Sequence, residues 1–394
     1  MRMYLAMEKE LLVLEQRNGK WQVERQLVGM RPTCVAADPF RPEHVYCGTF
    51  GRGLWGSDDA GRSWKPIGDA GTATGGLSNG ITHAQITAVA VSPTEQANGY
   101  GVAYVGTEPT AMFRSEDGGD TWQELKTLLE LPSAPTWSFP PRPYTSHVRW
   151  ITPDPLVPGR LFAAIEAGAL VRSLDGGAHW EDRTPDSPYD THTLMMHPLA
   201  PNRLYSAAGD GFMASGRGYN ESVDGGESWQ RPDEGLEHHY LWGVAVDSAD
   251  PETIIVSASS DPFSAHNPNP AGAEAARAHH GGQPPRWVTA NAANQTGQAP
   301  PSAGRPDNRR GESVIYRKTR GTAWQRASAG LPDAQGTVVP VLASHKAEPG
   351  VFYALSNKGL YRSADGGQSW ESLLSDWNPE FLHQHQQSLV ISEV

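Results

Sequence analysis

Six residues of the 394-residue sequence have the types and spacing that acid–base chemistry or anion recognition needs. Each stands near the beginning or the end of an alternating apolar run, a pattern typical of β-strands. They are Glu108, His147, Arg149, Glu166, Asp190 and His192. If neighbouring strands bring their ends together, Glu108 and Glu166 would act as acid and as base or nucleophile, with His192 as a third catalytic group.

A second set of side chains indicates how a ligand would be held. Arg149 would pair with an anionic group through two N–H donors, and Tyr240, Trp242 and Trp137 would stack on the faces of sugar rings. The residues expected to bind substrate are Arg31, His147, Arg149, Asp190, Asp210, Tyr240 and Trp242. The alternative interpretation is that these polar residues form only the solvated entrance of a channel.

Histidines offer a further hypothesis, a divalent metal. His147, His192 and His239 lie at the start of equivalent strands in successive repeat units. They could point inward around one axis, with Glu108 or Glu166 as a ligand or supporting group. No HExxH motif accompanies them. The sequence therefore requires no cofactor, and a divalent metal is kept as the alternative.

A short repeated motif identifies the elements that position these residues. The motif S-x-D-x-G-x-x-W occurs intact five times. The copies begin at Ser57, Ser115, Ser173, Ser222 and Ser363. Degraded copies end at Trp21 and Trp324, which brings the count to seven units. Each unit has the pattern of four short antiparallel strands separated by Pro and Gly turns.

The order of the strands predicts how the chain closes. First strands are expected at 33–37, 86–91, 148–152, 192–196, 241–246, 339–343 and 388–393, and second strands at 3–8, 45–49, 102–107, 161–165, 203–208, 253–258 and 351–356. The chain thus begins with a second strand and ends with a first strand. The sequence predicts an all-β fold, a single seven-bladed β-propeller of four-stranded blades over residues 1–394, closed by pairing of the C-terminal strand with the N-terminal strands.

The motif resembles the Asp-box (BNR) repeat of the sialidase-like, sortilin-like and xyloglucanase-like propellers. This resemblance implies a structural role for the motif aspartates and, for many relatives, chemistry on carbohydrates. A classical sialidase is not expected, because Met30-Arg31-Pro32-Thr33 replaces the Arg-Ile-Pro element of sialidases and because sialidases tend to have six blades. We therefore expect a polar, glycoside-hydrolase-like site at the channel mouth. The alternative is a noncatalytic scaffold that binds proteins, as photosystem-assembly and sortilin-type propellers do.

Insertions predict which face of the ring carries the site. The longest, rich in Pro, Ala and Gly, covers about 260–312, and shorter ones cover 126–147, 209–221 and 371–387. All of them extend on the face opposite the motif turns. Because binding residues tend to lie on loops held by a rigid scaffold, we expect the site on this decorated face.

Composition limits the partners. Lys and Arg number 32 against 44 Asp and Glu, a net charge of −12, which argues against nonspecific binding of nucleic acid. No run of about 18 apolar residues is present, so no membrane span is expected. The acidic start differs from a signal peptide, and two cysteines favour a reducing compartment. These features predict a cytoplasmic protein whose partner is a small molecule or glycan, with a protein partner as the alternative.

Overall fold

The computed structural model describes residues 1–68, 80–267 and 311–393. Most of the insertion predicted at 260–312 therefore lies outside the described residues. Within them, seven antiparallel sheets are arranged in a ring, as the sequence predicts. Each first strand lies against the first strands of the two neighbouring blades. The first strands thus form the inner wall of the ring.

The strands match the predicted series closely. From blade 1 to blade 7, the first strands are Pro32–Ala37, Gln85–Ala97, Val148–Pro153, Thr191–His197, Tyr240–Val246, Val341–Ser344 and Gln386–Ser392. The second strands are Val45–Thr49, Tyr100–Glu108, Leu161–Ile165, Ala200–Ala208, Ile254–Ser259, Phe352–Ser356 and Arg2–Met7. The third strands are Leu54–Ser57, Met112–Ser115, Ala169–Ser173, Tyr219–Ser222, Ser313–Lys318, Gly359–Ser363 and Leu11–Arg17.

The outermost strands of blades 1, 2, 5 and 6 are short, whereas that of blade 7 has seven residues. They are Lys65–Ile67, Gln123–Glu124, Gln325–Arg326, Glu371–Ser372 and Lys20–Gln26 in blades 1, 2, 5, 6 and 7. In blades 3 and 4 the fourth position is a single bridge, Arg172 to Glu181 and Glu221 to Gln230. Short outer strands leave little edge for unwanted pairing with other chains.

The two ends of the chain share blade 7. Gln386–Ser392 pairs antiparallel with Arg2–Met7, with Ile391 opposite Met3 and Leu389 opposite Leu5. Every residue of Arg2–Met7 is buried. The predicted closure is therefore confirmed, and it hides an edge that an open ring would expose.

The five intact motifs form turns with one hydrogen-bond pattern, which we call the box turns. In the last, Ser363 Oγ donates to Asp365 Oδ1 over 2.8 Å, and the Ser369 amide and hydroxyl donate to Oδ1 and Oδ2 over 2.9 and 2.6 Å. Gly367 takes a φ of 85°, which favours glycine. Trp370 is buried. The aspartate therefore accepts the hydrogen bonds that residues of its own turn donate.

Helical segments are brief and lie in the connections. The α-helices are Asp210–Met213 and Pro262–His266, and the 3₁₀ helices are Lys126–Glu130, Ala134–Thr136 and Pro379–His383. None of the helices in the described part of the chain has the length and apolarity to cross a bilayer. Several of these segments border the cavity described next.

Candidate functional site

A cavity of about 490 Å³ opens at the decorated face of the ring. Its wall comes from the inserted segments, which contribute Phe139, Phe212, Met213 and Phe263. Its floor is formed by polar residues at the ends of the first and second strands of blades 3 to 5. An apolar wall above a few convergent polar groups is the usual construction of a ligand site.

The inner strands carry β-bulges at the level of this cavity. In six blades the register between first and second strand shifts by one, so that one residue of the first strand has no partner. These residues are Thr33, Thr87, Arg149, His192, Trp242 and Gln387. A bulge re-aims the extra side chain. Five of the six line the cavity, and His192 contacts the carboxylates of its floor.

Arg149 differs from three of the other bulge residues, Thr33, Thr87 and His192, in its hydrogen bonding. The Thr33 and Thr87 hydroxyls and the His192 ring each donate to a carbonyl of the next blade, over 2.6, 2.7 and 2.6 Å. Arg149 makes no such bond within the described part of the chain. Its guanidinium instead lies over the Trp242 ring, 4.3 Å from the centroid. Its side chain is only 12% exposed, so its donors are withdrawn from bulk water.

Glu166 occupies the centre of the floor. Its Oε2 atom accepts from His147 Nε2 over 2.7 Å and lies 3.8 Å from Arg149 Nε. Burial alone would raise the pKa of Glu166, but the hydrogen bond and charge of His147 outweigh it and hold that pKa below its usual range. Glu166 is therefore a carboxylate at neutral pH.

Asp190 lies beside Glu166 in a different setting. Its Oδ1 atom accepts from the Ala167 amide over 2.8 Å, and its own amide donates to Asp210 Oδ2 over 2.8 Å. Burial, with repulsion from Glu166 and Asp210, raises the pKa of Asp190 well above its usual range. Gly209 permits this arrangement, because a Cβ at that position would lie 2.1 Å from Asp190 Oδ2.

His192 approaches both carboxylates through one ring nitrogen. Nδ1 contacts the Leu241 carbonyl, which can only accept, so Nδ1 carries the proton and Nε2 a lone pair. Nε2 lies 3.6 Å from Asp190 Oδ2 and 4.0 Å from Glu166 Oε1. Burial lowers the pKa of His192 to about 4, which keeps the ring neutral.

Glu108 faces the same cavity, with its carboxylate already engaged. Arg142 Nε and one terminal nitrogen donate to the two Glu108 oxygens over 2.6 Å each. Glu108 Oε2 also lies 3.7 Å from His147 Nδ1, while the opposite nitrogen of that ring contacts Glu166. Glu108 therefore anchors the segment around Arg142 and Phe139 to the inner wall, one imidazole away from Glu166.

A chain of hydrogen bonds closes the opposite side. Gln387 Nε2 lies 3.0 Å from His385 Nδ1, His385 Nε2 lies 2.5 Å from His266 Nδ1, and His266 Nε2 lies 2.9 Å from the Tyr240 hydroxyl. With the Gln387 amide donating, each ring accepts at one nitrogen and donates at the other. Burial lowers the pKa of His385 to about 4 and holds the pKa of His266 well below its usual range. The Tyr240 hydroxyl hydrogen is thereby available to the cavity.

The structure brings most of the predicted residues together. Those at the cavity or its floor are Glu108, His147, Arg149, Glu166, Asp190, His192, Asp210, Tyr240 and Trp242. Arg31 is exposed and does not line the cavity, although it stacks on Phe50, which does. Trp137 is buried behind the inner wall, where its indole N–H donates to Ser133 Oγ over 2.9 Å. His239 precedes Tyr240 by one residue and so faces the other way, accepting from the Gly216 amide over 3.4 Å.

Some residues of the site were not predicted from the sequence. Arg142, Gly209 and His266 lie in or beside inserted segments, whose path no repeat encodes. The repeat itself offered a signal for Gly209, which stands in the same column as Glu108 and Glu166 at the end of a second strand. A glycine there indicates a close approach by another group.

Comparisons with known proteins agree on the fold. No family model and no curated protein matches the sequence. Among solved structures, a GH74 enzyme from Niastella koreensis is 15% identical with a TM-score of 0.58, over 92% of this chain and 51% of that chain. An ancestral GH74 enzyme is 16% identical with a TM-score of 0.57, over 88% of this chain and 39% of that chain.

A third structure, YCF48 bound to the D1 peptide, is 16% identical with a TM-score of 0.51, over 86% of this chain and 81% of that chain. This chain thus spans about half or less of the length of the two GH74 enzymes. At such low identities the likeness concerns architecture alone. What the comparisons show is that this chain shares the β-propeller fold of GH74 enzymes and YCF48.

Proposed function

We propose that the protein binds an anionic saccharide, or a small polar ligand of similar chemistry, in the cavity and hydrolyses it. The observation that carries this proposal is Arg149, a largely buried guanidinium with no hydrogen-bond partner among the described residues. Its donors match a carboxylate, sulfate or phosphate in a bidentate geometry. The adjacent Trp242 and Tyr240 offer ring faces on which a sugar stacks.

The floor supplies what a hydrolytic step needs. Glu166 Oε1 and His192 Nε2 are acceptor atoms turned toward the ligand space, so either can take a proton from an attacking water. The resulting hydroxide adds to the anomeric carbon, the glycosidic C–O bond breaks, and the departing oxygen takes up the proton that the base removed from water. Glu108 is assigned a positioning role instead, because both of its oxygens bind Arg142.

The test is a screen of aryl uronides and neutral aryl glycosides. We expect turnover of a uronide that Glu166→Gln lowers by at least about a hundredfold, within the range for removal of an acid–base group. Arg149→Met should raise KM for the uronide, with little change for a neutral glycoside. Arg52→Met removes an exposed guanidinium outside the cavity and should change neither. If no glycoside or uronide is turned over, the proposed hydrolytic activity is wrong.

A second candidate is a noncatalytic scaffold that binds a protein. The observation that favours it is length, since this chain matches 81% of the peptide-bound YCF48 chain but much less of the GH74 enzymes. A carboxylate at the end of a peptide could enter the cavity and pair with Arg149 in the same way. Binding of a peptide without turnover of any glycoside would favour this candidate.

A further inference from the structure

Three side chains of the floor each use one atom for support and turn another to a common point. Glu166 Oε2 is held by His147, and Oε1 makes no hydrogen bond to a described residue. Asp190 Oδ1 is held by the Ala167 amide, which leaves Oδ2. His192 Nδ1 is held by the Leu241 carbonyl, which leaves Nε2. One ligand atom of each of the three residues lies within 4.8 Å of the others, and His192 Nε2 lies 3.6 Å from Asp190 Oδ2 and 4.0 Å from Glu166 Oε1.

His192 distinguishes this group from an ordinary acidic cluster. The residue is 1% exposed, and its Nε2 atom has no hydrogen-bond partner anywhere in residues 1–68, 80–267 and 311–393. A buried polar atom without a partner is unfavourable and calls for an explanation. Its lone pair points toward Asp190 Oδ2 at 3.6 Å and Glu166 Oε1 at 4.0 Å, separations too long for a hydrogen bond. A cation satisfies all three atoms at once.

The floor carries more carboxyl groups than guanidinium groups, which also favours a bound cation. Three carboxyl groups line the cavity floor, those of Glu166, Asp190 and Asp210, whereas two guanidinium groups of the lining are not paired with Glu108, those of Arg149 and Arg217. Charges buried without compensation are unfavourable. A divalent cation would compensate the excess negative charge that remains when all three groups are ionised.

We propose that Glu166, Asp190 and His192 bind one divalent transition-metal ion such as Mn²⁺ or Zn²⁺. One imidazole nitrogen with two carboxylate oxygens suits these ions better than Ca²⁺ or Mg²⁺, which prefer oxygen alone. Bonds of about 2.0–2.2 Å to one ion allow two ligand atoms to lie at most about 4.4 Å apart. The observed separations of 3.6 and 4.0 Å from Nε2 fit that limit.

The surroundings have the organisation of a metal site. The second atom of each ligand is fixed by a neighbour, as outer partners fix the ligands of known metal centres. Asp210 extends this support, because its two oxygens accept from the Tyr189 and Asp190 amides over 3.1 and 2.8 Å. Three protein ligands leave coordination positions open toward the cavity, which is the arrangement of catalytic rather than structural sites.

The ion would also explain the placement of Arg149. That guanidinium approaches Glu166 at Oε2, not at the Oε1 atom assigned to the metal. An anionic ligand could therefore bridge the ion and Arg149. This role of the ion rests on the proposed binding of an anionic ligand, whereas the metal site itself does not. With the ion bound, Glu166 Oε1 and His192 Nε2 would be its ligands and would not serve as the base.

The test is titration of tag-free, chelator-treated full-length protein with Mn²⁺, with free Mn²⁺ followed by electron paramagnetic resonance. We expect one tightly bound Mn²⁺ per chain that Zn²⁺ displaces. Glu166→Gln and Asp190→Asn should each weaken binding at least about tenfold, as loss of ligand-shell groups does. Both substitutions preserve shape, and thermal melting checks that the fold is retained.

Glu95→Gln is the matched control, because Glu95 is a carboxylate of the same 13% side-chain exposure as Glu166 that lies outside the cavity, where it pairs with Arg114. It should change Mn²⁺ affinity less than about threefold. The proposal is overturned if wild-type protein binds no stoichiometric Mn²⁺, if Glu166→Gln and Asp190→Asn bind like wild type, or if Glu95→Gln weakens binding equally. Stoichiometric Mn²⁺ binding without any glycoside binding would leave the metal site standing and remove only the proposed function.

Discussion

The box turns and the cavity floor both contain aspartates, and the two regions use them in opposite ways. In the box turns each carboxylate is exposed or half-buried and accepts at least three hydrogen bonds from its own turn, and donation from Ser228 lowers the pKa of Asp224 to about 2. On the floor Asp190 accepts one bond, is surrounded by other acceptors, and has a raised pKa. Acidic residues that satisfy their own backbone stabilise the fold, and acidic residues left with open acceptors are available to a ligand.

Among the variants that test this contrast, we expect Gly209→Ala to have the largest effect on Mn²⁺ affinity and stability. The φ of Gly209 is −75°, which alanine adopts freely, so the substitution acts only through the added Cβ. That Cβ would overlap Asp190 Oδ2 and lie 2.9 Å from His192 Cε1. We expect Mn²⁺ affinity to fall at least about tenfold and stability to fall by about 1–3 kcal/mol, as for overpacked sites.

Gly19→Ala is the contrasting control, measured by the same titration and by denaturant unfolding. Gly19 has a φ of 75° and open space around its Cβ position. Alanine there strains the backbone by about 1 kcal/mol without touching the floor. Unchanged Mn²⁺ affinity in Gly209→Ala would mean that the Asp190 carboxylate does not define the site.

A smaller effect is expected from Asp365→Asn in the last box turn. The exposed turn loses charge-assisted hydrogen bonds from Ser363 and Ser369, which should cost no more than about 1 kcal/mol of unfolding free energy because solvent screens it. Mn²⁺ affinity and glycoside turnover should remain at wild-type values. A box-turn variant that lost turnover while remaining folded would contradict the distinction between the box turns and the cavity floor.

The same variant has a defined pH dependence. Partial burial alone would raise the pKa of Asp365, but the hydrogen bonds from Ser369 and Ser363 lower it from 3.8 to about 2. A lowered folded-state pKa contributes stability above the unfolded value, and that contribution is lost as pH falls through about 2. Unfolding measured between pH 5 and 2 should therefore be less pH-dependent in Asp365→Asn than in wild type.

The sequence was sufficient for the ring because the ring is repetitive. Period-two apolar runs and the recurring box fix each blade, and the mismatch of first and last strands predicts the closure that pairs Met3 with Ile391. The polar column from Arg149 to Trp242 was also visible, because positions two apart share one face of a strand. The β-bulges that turn these side chains toward the cavity were not visible in the sequence. A bulge is a local shift of register that the apolar pattern does not reveal.

The details of the site depend on contacts between segments far apart in the chain. The metal hypothesis from the sequence took one histidine per blade, His147, His192 and His239. The structure places only His192 in a group with two further ligand atoms, and it adds Asp190. His147 supports Glu166 instead. Which nitrogen of a ring is engaged depends on its neighbours in space, and no spacing in the sequence encodes that.

The most direct test of this account is an anomalous difference map from crystals of the full-length protein soaked in Mn²⁺. We predict one dominant peak bounded by Glu166 Oε1, Asp190 Oδ2 and His192 Nε2, with no peak at the aspartates of the five box turns. A dominant peak at a box turn, or a floor without a peak while Mn²⁺ binds elsewhere, would contradict the distinction between the two kinds of acidic residue.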